Sequence, residues 1–496
     1  MLRSKILLVT FLSTAALAGG CRTGLFGNDV TPVAPPAAPP APIVVDGIRT
    51  SYADVVEKTS PAVVRIEAES KSRRASQPQG SSPFGDDDFF RQFPMPRQQE
   101  PQGRLERGLG SGVIVSADGT ILTNAHVIDG AEKITVMLQD NKTFEAKLVG
   151  ADKPSDLAVL KIEAQNMPFL TLGNSDTVRV GDIVLAIGNP LGIGQTVTAG
   201  IISAKGRRTG LSDGSFEDFL QTDAPINRGN SGGALVSLNG ELIGINSQIL
   251  AGGPSGGNIG IGFSIPSNMA KSVLEQLLRD GRVRRGMLGI GIQNITQDTA
   301  QALGLKDTSG VLVSDVKKGS AAEKAGFKRE DVITAINGEK IEDSNVLRNK
   351  VAGTLPGSEI RVTVLRAGNP VELTASLDEF EFNGTRNDES EDRGGIPQKQ
   401  SDTGKLGLTL QPITPQIAKQ LGVEGDFAEG MIVTGVDATG AAAEAGIARG
   451  DIILEVNRQP VNTTENVESA LASGAGKPVL LLLSRRGQTI YLTVRP

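Results

Sequence analysis

An internal repeat in the C-terminal part of the chain constrains its fold more than any other feature. The segment Val311–Val316 recurs 120 positions later as Met431–Val436. The same offset relates further identical residues: Ala321 and Ala441, Ala322 and Ala442, Ala325 and Ala445, Gly326 and Gly446, Asp331 and Asp451, Ile333 and Ile453, and Asn337 and Asn457. Because each copy spans roughly 90 residues, the repeat predicts two similar small domains, at 282–381 and 404–496. Residues 382–403 lack an apolar pattern and are interpreted as a flexible linker.

The preceding segment, residues 46–281, is rich in short apolar runs separated by turn residues. Asp118-Gly119 and Asn239-Gly240 each lie between two such runs, which is a strong signal for a β-hairpin. Strands are predicted at 63–66, 112–115, 120–123, 134–138, 144–149, 157–162, 183–187, 234–238 and 242–245. A helical period persists only over 268–280. With 61 glycines and 3% aromatic residues, this pattern predicts a mainly β domain, folded as barrels or as a sandwich.

Composition excludes several classes of function. The 496 residues carry a formal net charge of −6, whereas a nucleic-acid-binding surface is usually basic, so no nucleic-acid partner is expected. The chain has one cysteine and one histidine. It therefore cannot form an intramolecular disulfide, a zinc site built on Cys/His clusters or a Cys-ligated iron–sulfur cluster. No metal or other cofactor is predicted, and any imidazole chemistry must use His126.

The N-terminus has the features of an export signal. Arg3 and Lys5 precede an apolar run that is too short to span a membrane. The run ends in Leu-Ala-Gly-Gly-Cys21, which resembles a bacterial lipobox, so residues 1–21 are predicted to be a signal peptide with Cys21 as the lipidated residue. The alternative is an ordinary signal peptide whose cysteine lies near the cleavage site by chance. Either way, the chain is expected to be exported to the periplasm or cell envelope, and a lipid on Cys21 would attach it to a membrane.

Two further segments lack the periodic apolar residues that form a hydrophobic core. Residues 22–45 are rich in proline and alanine and are interpreted as a tether that would hold the folded part away from a membrane anchor. Residues 70–107 form a polar insert in the β-rich domain, apart from four phenylalanines between positions 84 and 93. The insert is either disordered or a regulatory loop whose phenylalanines dock on an apolar surface.

Three short segments together predict nucleophilic catalysis. His126 lies in Thr-Asn-Ala-His-Val, Asp156 begins Asp-Leu-Ala-Val-Leu, and Ser231 is central in Gly-Asn-Ser-Gly-Gly. Each segment alone is more often structural than catalytic. Together they supply a serine that needs a base, an imidazole that can take its proton, and a carboxylate that can fix the imidazole tautomer.

Glycines around the serine predict an oxyanion-binding loop. Acyl transfer places negative charge on the carbonyl oxygen, and converging backbone N–H groups stabilise that charge. Gly229, Asn230 and Ser231 are assigned to this loop, in which the flexibility of Gly229 lets its N–H and that of Ser231 point the same way. Gly232 and Gly233 allow the chain to pass close behind the nucleophile.

The combined motifs closely resemble those of the HtrA (Do-like, Deg) serine proteases. The quoted segments are joined by similar ones at 108–112, 188–190 and 258–266, and the resemblance runs to the C-terminus. It implies a chymotrypsin-like double β-barrel protease domain over 46–281, with His126 and Asp156 in the first barrel and Ser231 in the second. It also implies that the two repeats are PDZ domains, which are α+β and built as partly open barrels.

The resemblance further implies a substrate class and sites of recognition. Family members cleave unfolded or misfolded exported proteins without ATP or metal. Ile226 matches a position that lines the pocket for the residue before the cut, which implies cleavage after small aliphatic residues such as Val and Ala. Loops 246–260 and 204–219 match the loop that completes this pocket and the sensor loop. A homo-oligomer, a trimer or a multiple of it, is expected by analogy.

PDZ domains bind peptide C-termini as an added strand, with backbone N–H groups around the carboxylate. The loops that match this site are Met287, Leu288, Gly289 and Ile290 in the first repeat, and Lys405, Leu406, Gly407 and Leu408 in the second. The second loop has the alternative of serving assembly instead. Ordinary glycine-containing strands are the alternative for both.

Three functions remain open at this point. The first is an ATP-independent serine endopeptidase of the cell envelope that degrades unfolded proteins and is regulated by peptide C-termini. The second is a chaperone or peptide sensor with little proteolytic activity. The third, a structural envelope protein, explains the linkers but leaves the Ser-His-Asp combination unexplained.

Overall fold

The computed structural model describes most of the predicted domains. The described residues are 51–71, 105–189, 194–209, 216–227, 229–252, 257–381, 406–414, 416–417, 430–472 and 477–495. In a separate N-terminal unit, β1 (Val44–Val45) pairs with β2 (Ile48–Arg49). Cys21 and the signal peptide, most of the tether, most of the insert, the linker and Lys405 lie outside the described residues. Within the described part, no helix is long and apolar enough to cross a membrane.

Six antiparallel strands close into a first barrel. They are β3 (Val63–Lys71), β4 (Leu105–Ile114), β5 (Thr120–Thr123), β6 (Lys133–Met137), β7 (Thr143–Asp152) and β8 (Leu157–Ile162). Their order is β3-β4-β5-β8-β7-β6, and β6 returns to β3 with Val136 opposite Ile66. The turn predicted at Asp118-Gly119 joins β4 to β5. Helix α1 (Ala53–Thr59) precedes the barrel.

Six more strands close into a second barrel. They are β9 (Ile183–Gly188), β10 (Thr196–Arg207), β11 (Phe219–Thr222), β12 (Ala234–Ser237), β13 (Leu242–Gly252) and β14 (Gly257–Pro266). Their order is β10-β11-β14-β13-β12-β9, and β9 returns to β10. The second predicted hairpin joins β12 to β13 around Asn239-Gly240. The expectation of a double barrel is therefore confirmed.

The two barrels share an apolar core. Leu160 of the first barrel and Ile187 of the second are both 0% exposed and belong to one cluster of buried side chains. Helix α2 (Ser267–Asp280) leaves the second barrel and packs across β7 and β8 of the first. Its Leu277 is fully buried, and Gly281 ends the helix with a φ of 68°. The helix thus holds the two barrels together from outside.

The first repeat folds as an α+β domain around an antiparallel sheet. Its elements are β15 (Gly286–Met287), β16 (Ile290–Asn294), α3 (Gln297–Leu303), β17 (Val311–Val316), α4 (Ala321–Ala325), β18 (Val332–Ile336), β19 (Glu339–Lys340), α5 (Ser344–Ala352), β20 (Glu359–Arg366), β21 (Asn369–Ser376) and β22 (Asp378–Glu379). The sheet order is β16-β17-β18-β20-β21, with β19 on β18 and a separate pair of β15 with β22. Strand β16 is therefore at the edge of its sheet.

The second repeat has the same topology in its main sheet as the first repeat. Its elements are β23 (Leu408–Pro412), β24 (Met431–Val436), α6 (Ala441–Glu444), β25 (Ile452–Val456), β26 (Gln459–Pro460), α7 (Thr464–Ala472), β27 (Val479–Arg485) and β28 (Gln488–Val494). The sheet order β23-β24-β25-β27-β28 places β23 at the edge, as β16 is in the first repeat. Sequence identity at the repeated positions thus corresponds to structural equivalence.

The observed elements differ from the predicted ones mainly in length. Strands β3 and β4 extend into both ends of the segment 70–107, where polar residues hid their pairing from a search for apolar alternation. Helix α1 was missed because its seven residues are too few to establish a helical period. The helix predicted over 268–280 begins one residue earlier, at Ser267.

Adjacent leucines of α2 provide a matched test of its packing. Leu277 is buried, whereas Leu278 is 52% exposed. We expect Leu277→Ala to lower the free energy of unfolding of the double-barrel domain by about 2–5 kcal/mol, because it leaves a cavity against the first barrel. The control Leu278→Ala should change it by less than about 0.5 kcal/mol. Urea unfolding followed by circular dichroism checks both, and equal effects would contradict the packing described.

Candidate active site

Strand pairing in the first barrel brings His126 and Asp156 together. Strands β5 and β8 are neighbours, with Thr123 opposite Ala158. His126 follows β5 and Asp156 directly precedes β8, so both lie at the same end of the barrel. Asp156 has a left-handed backbone with a φ of 53°, a conformation that aspartate tolerates better than most residues.

The carboxylate of Asp156 is held by several donors. Nδ1 of His126 lies 2.8 Å from its Oδ2, and the backbone N–H of His126 donates to its Oδ1 at 3.0 Å. The side chains of His126 and Asp156 are 23% and 14% exposed, so the pair lies in a cleft that solvent can reach. Because Nδ1 faces the carboxylate, Nε2 is the nitrogen positioned to exchange a proton with a reacting group.

Ser247 is a contact of Asp156 that the sequence did not predict. It lies on β13 of the second barrel, and its Oγ donates to Oδ2 of Asp156 at 3.0 Å. A serine 91 residues away, on a different barrel, leaves no local signal. The preceding residue, Asn246, accepts a hydrogen bond from the N–H of Gly232 at 2.8 Å. Asn246 and Ser247 therefore connect the loop of Ser231 to the acid of the first barrel.

The turn that carries Ser231 requires glycine at two places. Gly229 and Gly232 have φ values of 92° and 82°, in the left-handed region that favours glycine. A Cβ atom on Gly232 would also overlap the backbone oxygen of Ser111. Backbone conformation therefore explains why glycine is needed at position 229, and conformation and lack of space explain it at position 232.

Ser111 on β4 binds this turn from the first barrel. Its N–H donates to the carbonyl oxygen of Ser231 at 2.8 Å, and its Oγ donates to the carbonyl oxygen of Gly229 at 2.5 Å. The same Oγ accepts from the N–H of Asn189 at 2.8 Å. Ser111 is 0% exposed, so these bonds are made away from water. Ser111 lies in the segment 108–112, which resembles the family, but the sequence did not reveal that its side chain binds the turn of Ser231.

The N–H groups of the loop differ in availability. The N–H of Asn230 donates to the carbonyl oxygen of Asn227 at 3.0 Å, so the turn already uses it. Among the described residues, neither the N–H of Gly229 nor that of Ser231 donates to a protein acceptor. Gly229 and Ser231 thus offer the two donors assigned to an oxyanion, whereas Asn230 shapes the turn between them.

Ile226 lies in the apolar interior of the second barrel. Its side chain is 1% exposed and packs in a cluster with residues such as Ile202, Leu220 and Leu235. Its carbonyl oxygen accepts from Nδ2 of Asn258 at 2.8 Å. Ile226 is therefore part of the apolar core of the second barrel, five residues before Ser231, and its assignment to a substrate pocket stays a prediction.

A buried ion pair joins the first repeat domain to the base of the Asp156 loop. The guanidinium of Arg285 contacts the carboxylate of Asp152 at 2.6 and 2.5 Å, and both side chains are under 10% exposed. The same Asp152 accepts from the N–H of Ser155 at 3.1 Å. Arg285 also lies over the ring of Phe216, 4.7 Å from its centre. Phe216 belongs to the segment 204–219, of which 210–215 lie outside the described residues.

Asp218, in the same segment, has an unusual environment. Burial raises the pKa of its carboxyl to about 6, and the nearby negative charges of Asp176 and Asp343 act in the same direction. The positive charge of Lys205 opposes the rise. A carboxyl with this pKa changes charge close to neutral pH, next to the contact between the double-barrel domain and the first repeat.

The predicted peptide-binding loops have matching geometry in the two repeats. Gly289 and Gly407 have φ values of 77° and 74°. Leu288 and Leu406 are buried at 3% and 4% exposure. Each loop leads into an edge strand, β16 at Ile290 and β23 at Leu408, so an extended peptide could pair with the open edge. Met287, before the first loop, is half-buried.

Comparison with known proteins assigns the domains. The trypsin-like peptidase domain family matches residues 110–245, a range that contains His126, Asp156 and Ser231. The PDZ domain family matches residues 286–377 and 432–485. The double barrel is therefore a trypsin-like peptidase domain, and both repeats are PDZ domains.

Similarity also extends over nearly the whole chain. It is 43% identical over 460 residues to a Chlamydia trachomatis protein named probable periplasmic serine endoprotease DegP-like, covering 90% of this chain and 89% of that one. It is 39% identical to the periplasmic pH-dependent serine endoprotease DegQ of Escherichia coli, covering 90% and 91%. The solved structure of the HtrA-type protease AlgW with decapeptide shares 43% identity and a TM-score of 0.53, covering 67% of this chain and 99% of that one.

Substitution of Ser247 tests whether its contact with Asp156 positions the histidine. We expect Ser247→Ala to lower kcat about tenfold, since a hydrogen bond to a charged group contributes roughly 1.5–3 kcal/mol. KM should change less than twofold, because the hydroxyl that is removed donates to the carboxylate of Asp156. Steady-state kinetics on a peptide substrate measures both values. Ser247→Thr keeps the hydroxyl and should retain most activity, and an unchanged kcat in Ser247→Ala would contradict the assignment.

Proposed function

This chain belongs to the HtrA family of DegP-like periplasmic serine endoproteases, and we propose that Ser231 is its nucleophile, His126 its general base and Asp156 the orienting acid. The observation that carries the proposal is the 2.8 Å contact between Nδ1 of His126 and Oδ2 of Asp156. The loop of Ser231 is tied to the same site through Asn246 and Ser247. This arrangement supports the roles that we assign, which are those of serine peptidase chemistry.

The proposed reaction proceeds by acyl transfer. His126 accepts the hydroxyl proton of Ser231 as its oxygen attacks the substrate carbonyl, and then gives that proton to the leaving amine. Asp156 stabilises the imidazolium formed in between. The N–H groups of Gly229 and Ser231 bind the oxyanion, and losing one such donor typically costs about 10²–10³ in rate. Water, activated by His126, then releases the acyl group from Ser231.

Substrates are proposed to be unfolded or misfolded proteins of the envelope, cut after small aliphatic residues. An unfolded chain would lie extended across the site, where the side chains of His126 and Asp156 are partly exposed. Ile226, buried beside the loop of Ser231, gives the pocket an apolar wall that favours residues such as Val and Ala. No ATP, metal or other cofactor is needed for these steps.

Peptide C-termini are proposed to regulate the peptidase through the PDZ domains. A peptide would add to the open edge of β16, with its carboxylate on the N–H groups around Gly289. The contact of Arg285 with Asp152 provides a physical connection, because it joins this domain to the residue four positions before Asp156. The equivalent loop of the second PDZ domain, Lys405 to Leu408, is proposed to bind peptides as well.

The enzyme is also proposed to assemble into oligomers and to be attached to a membrane. We infer a homo-oligomer, a trimer or a multiple of it, by analogy with the family. We also infer that Cys21 is lipidated, becomes the mature N-terminus and anchors the enzyme to a membrane. The proline-rich tether would then separate the anchor from the peptidase domain.

Proteolysis of reduced, unfolded casein tests the nucleophile. Ser231→Ala should lower the cleavage rate by at least about 10³-fold, because no other group in the proposed site can form the acyl-enzyme. Ser237→Ala, on β12 outside the site, is the control and should cleave normally. Mass spectrometry of the products should locate the cuts after Val and Ala. Cleavage by Ser231→Ala would contradict the assignment, and no cleavage by any variant would favour the chaperone alternative.

Glycine substitutions test the PDZ carboxylate loops. A Cβ atom on Gly289 would overlap Cβ of Ser320, whereas one on Gly407 would lie 3.2 Å from its nearest neighbours. We therefore expect Gly289→Ala to weaken peptide binding to the first PDZ domain about tenfold, through steric strain and a positive φ. Gly407→Ala should weaken total binding less. Fluorescence anisotropy with a labelled peptide bearing a free C-terminus measures both, and normal binding by Gly289→Ala would exclude this loop as the site.

A further inference from the structure

The edge strand β16 has two faces with different surroundings. Ile290 and Ile292 pack against the apolar core of the first PDZ domain. Because side chains alternate along a strand, Gln293 points to the opposite face. That face is covered by the second PDZ domain, whose last strand, β28, lies against β16 and β17.

Gln293 makes a two-point contact with the backbone of β28. Its Oε1 accepts from the N–H of Tyr491 at 2.7 Å, and its Nε2 donates to the carbonyl oxygen of Tyr491 at 3.2 Å. The side-chain amide therefore pairs with one residue as a neighbouring strand would. Strand β28 is itself the edge of its sheet, so its backbone groups are available for such a contact.

An apolar interface surrounds this contact. One cluster of buried side chains draws members from both PDZ domains: Ile295, Ala300, Leu312 and Val332 from the first, and Ile452, Leu454, Leu480, Leu482 and Tyr491 from the second. Ion pairs flank it, with Arg458 at 2.9 Å from Glu330 and Nε of Arg495 at 3.0 Å from Asp298. The two PDZ domains are thus packed together, and the linker alone does not set their arrangement.

The repeat supplies a counterpart that lacks this contact. Gln411 occupies the position in β23 that Gln293 occupies in β16, four residues after the loop glycine in each case. Among the described residues, the side chain of Gln411 makes no hydrogen bond to another domain. The same side chain at equivalent positions therefore supports one strand and not the other.

We propose that the second PDZ domain braces the peptide-binding strand of the first through Gln293, and thereby raises the affinity of the first domain for peptide C-termini. The inference rests on the proposed role of β16 in binding peptides. A peptide that adds to β16 must find its backbone groups fixed in the extended conformation. Support from β28 fixes them before the peptide arrives, so less conformational entropy is lost on binding. Gln293 is accordingly a positioning residue that does not touch the peptide.

Substitution of Gln293 is expected to have a moderate effect on the affinity for peptides. Two neutral hydrogen bonds are lost when Gln293 is shortened to alanine, and each typically contributes enough to change an equilibrium constant about two- to tenfold. Because only part of this support is transmitted to the peptide, we expect Gln293→Ala to weaken peptide binding to the first PDZ domain about three- to tenfold. Gln411→Ala, the matched control, should change it less than twofold.

The test uses the full chain with Ser231→Ala, so that the probe is not cleaved. The probe is a fluorescein-labelled decapeptide with a free, apolar C-terminal residue, and its amidated twin reports binding that does not need the carboxylate. The weaker affinity of Gly289→Ala identifies the binding phase that belongs to the first PDZ domain. Anisotropy titrations of Gln293→Ala, Gln411→Ala and their parent then give the affinities. Hydrogen exchange reports the amides of β16 in the absence of peptide, and circular dichroism verifies folding.

The experiment distinguishes a failure of the support through Gln293 from a failure of peptide binding at β16 itself. Weaker binding and faster exchange of β16 in Gln293→Ala, with neither in Gln411→Ala, would support the inference. Unchanged affinity in Gln293→Ala, or tighter binding, would overturn it, because tighter binding would mean that the second domain obstructs the site. If Gly289→Ala binds as well as its parent, the proposed peptide site itself is wrong, and the inference falls with it. Should Gln293→Ala unfold, Gln293→Asn, which keeps the amide on a shorter side chain, replaces it with the same expectations.

Discussion

Hydrogen bonds that cross the cleft between the two barrels determine whether the active site exists. Ser111 of the first barrel binds the backbone of Ser231 and Gly229, and Ser247 of the second barrel binds the carboxylate of Asp156. Neither barrel contains a complete site, because the proposed acid and base, Asp156 and His126, lie on one and the proposed nucleophile, Ser231, lies on the other. The shared apolar core fixes their separation, and these few polar contacts fix their orientation. Catalysis therefore depends on packing far from the reacting atoms.

The parts of the site that the sequence predicted are those encoded locally. His126, Asp156 and Ser231 lie in short motifs, and left-handed turns at Gly229 and Gly232 require glycine itself. Ser111, Ser247 and Arg285 act on residues 78 to 133 positions away, and such contacts follow from strand pairing that no single segment reveals. The hairpin signals predicted a mainly β domain and the repeat predicted two similar domains, whereas the double barrel and the PDZ folds were implied only by resemblance to a known family. The lengths of β3 and β4 depended on pairing between polar residues.

The repeat explains both what the two PDZ domains share and how they differ. The repeated Asp331 and Asp451 are buried and each pairs with an arginine near the end of a strand, Arg366 and Arg485, at 2.7 Å. Each pair joins the residue before one strand to the end of the neighbouring strand, so the two aspartates have the same structural role. Differences lie where each domain meets its surroundings: Arg285 leads from the first domain to the peptidase domain, and Tyr491 leads from the second to the first. The second PDZ domain therefore contacts the first, and the first contacts the peptidase domain near the candidate active site.

Covalent labelling with a fluorophosphonate tests the account most directly, because this reagent reacts only with a serine that an adjacent base activates and donors surround. Peptide mapping by mass spectrometry should find the adduct on Ser231 alone. The rate of labelling should fall about tenfold in Ser111→Ala, since the loop then loses one of its bonds to the first barrel. An adduct on another serine, or an unchanged rate in Ser111→Ala, would contradict the claim that contacts between the barrels form this site.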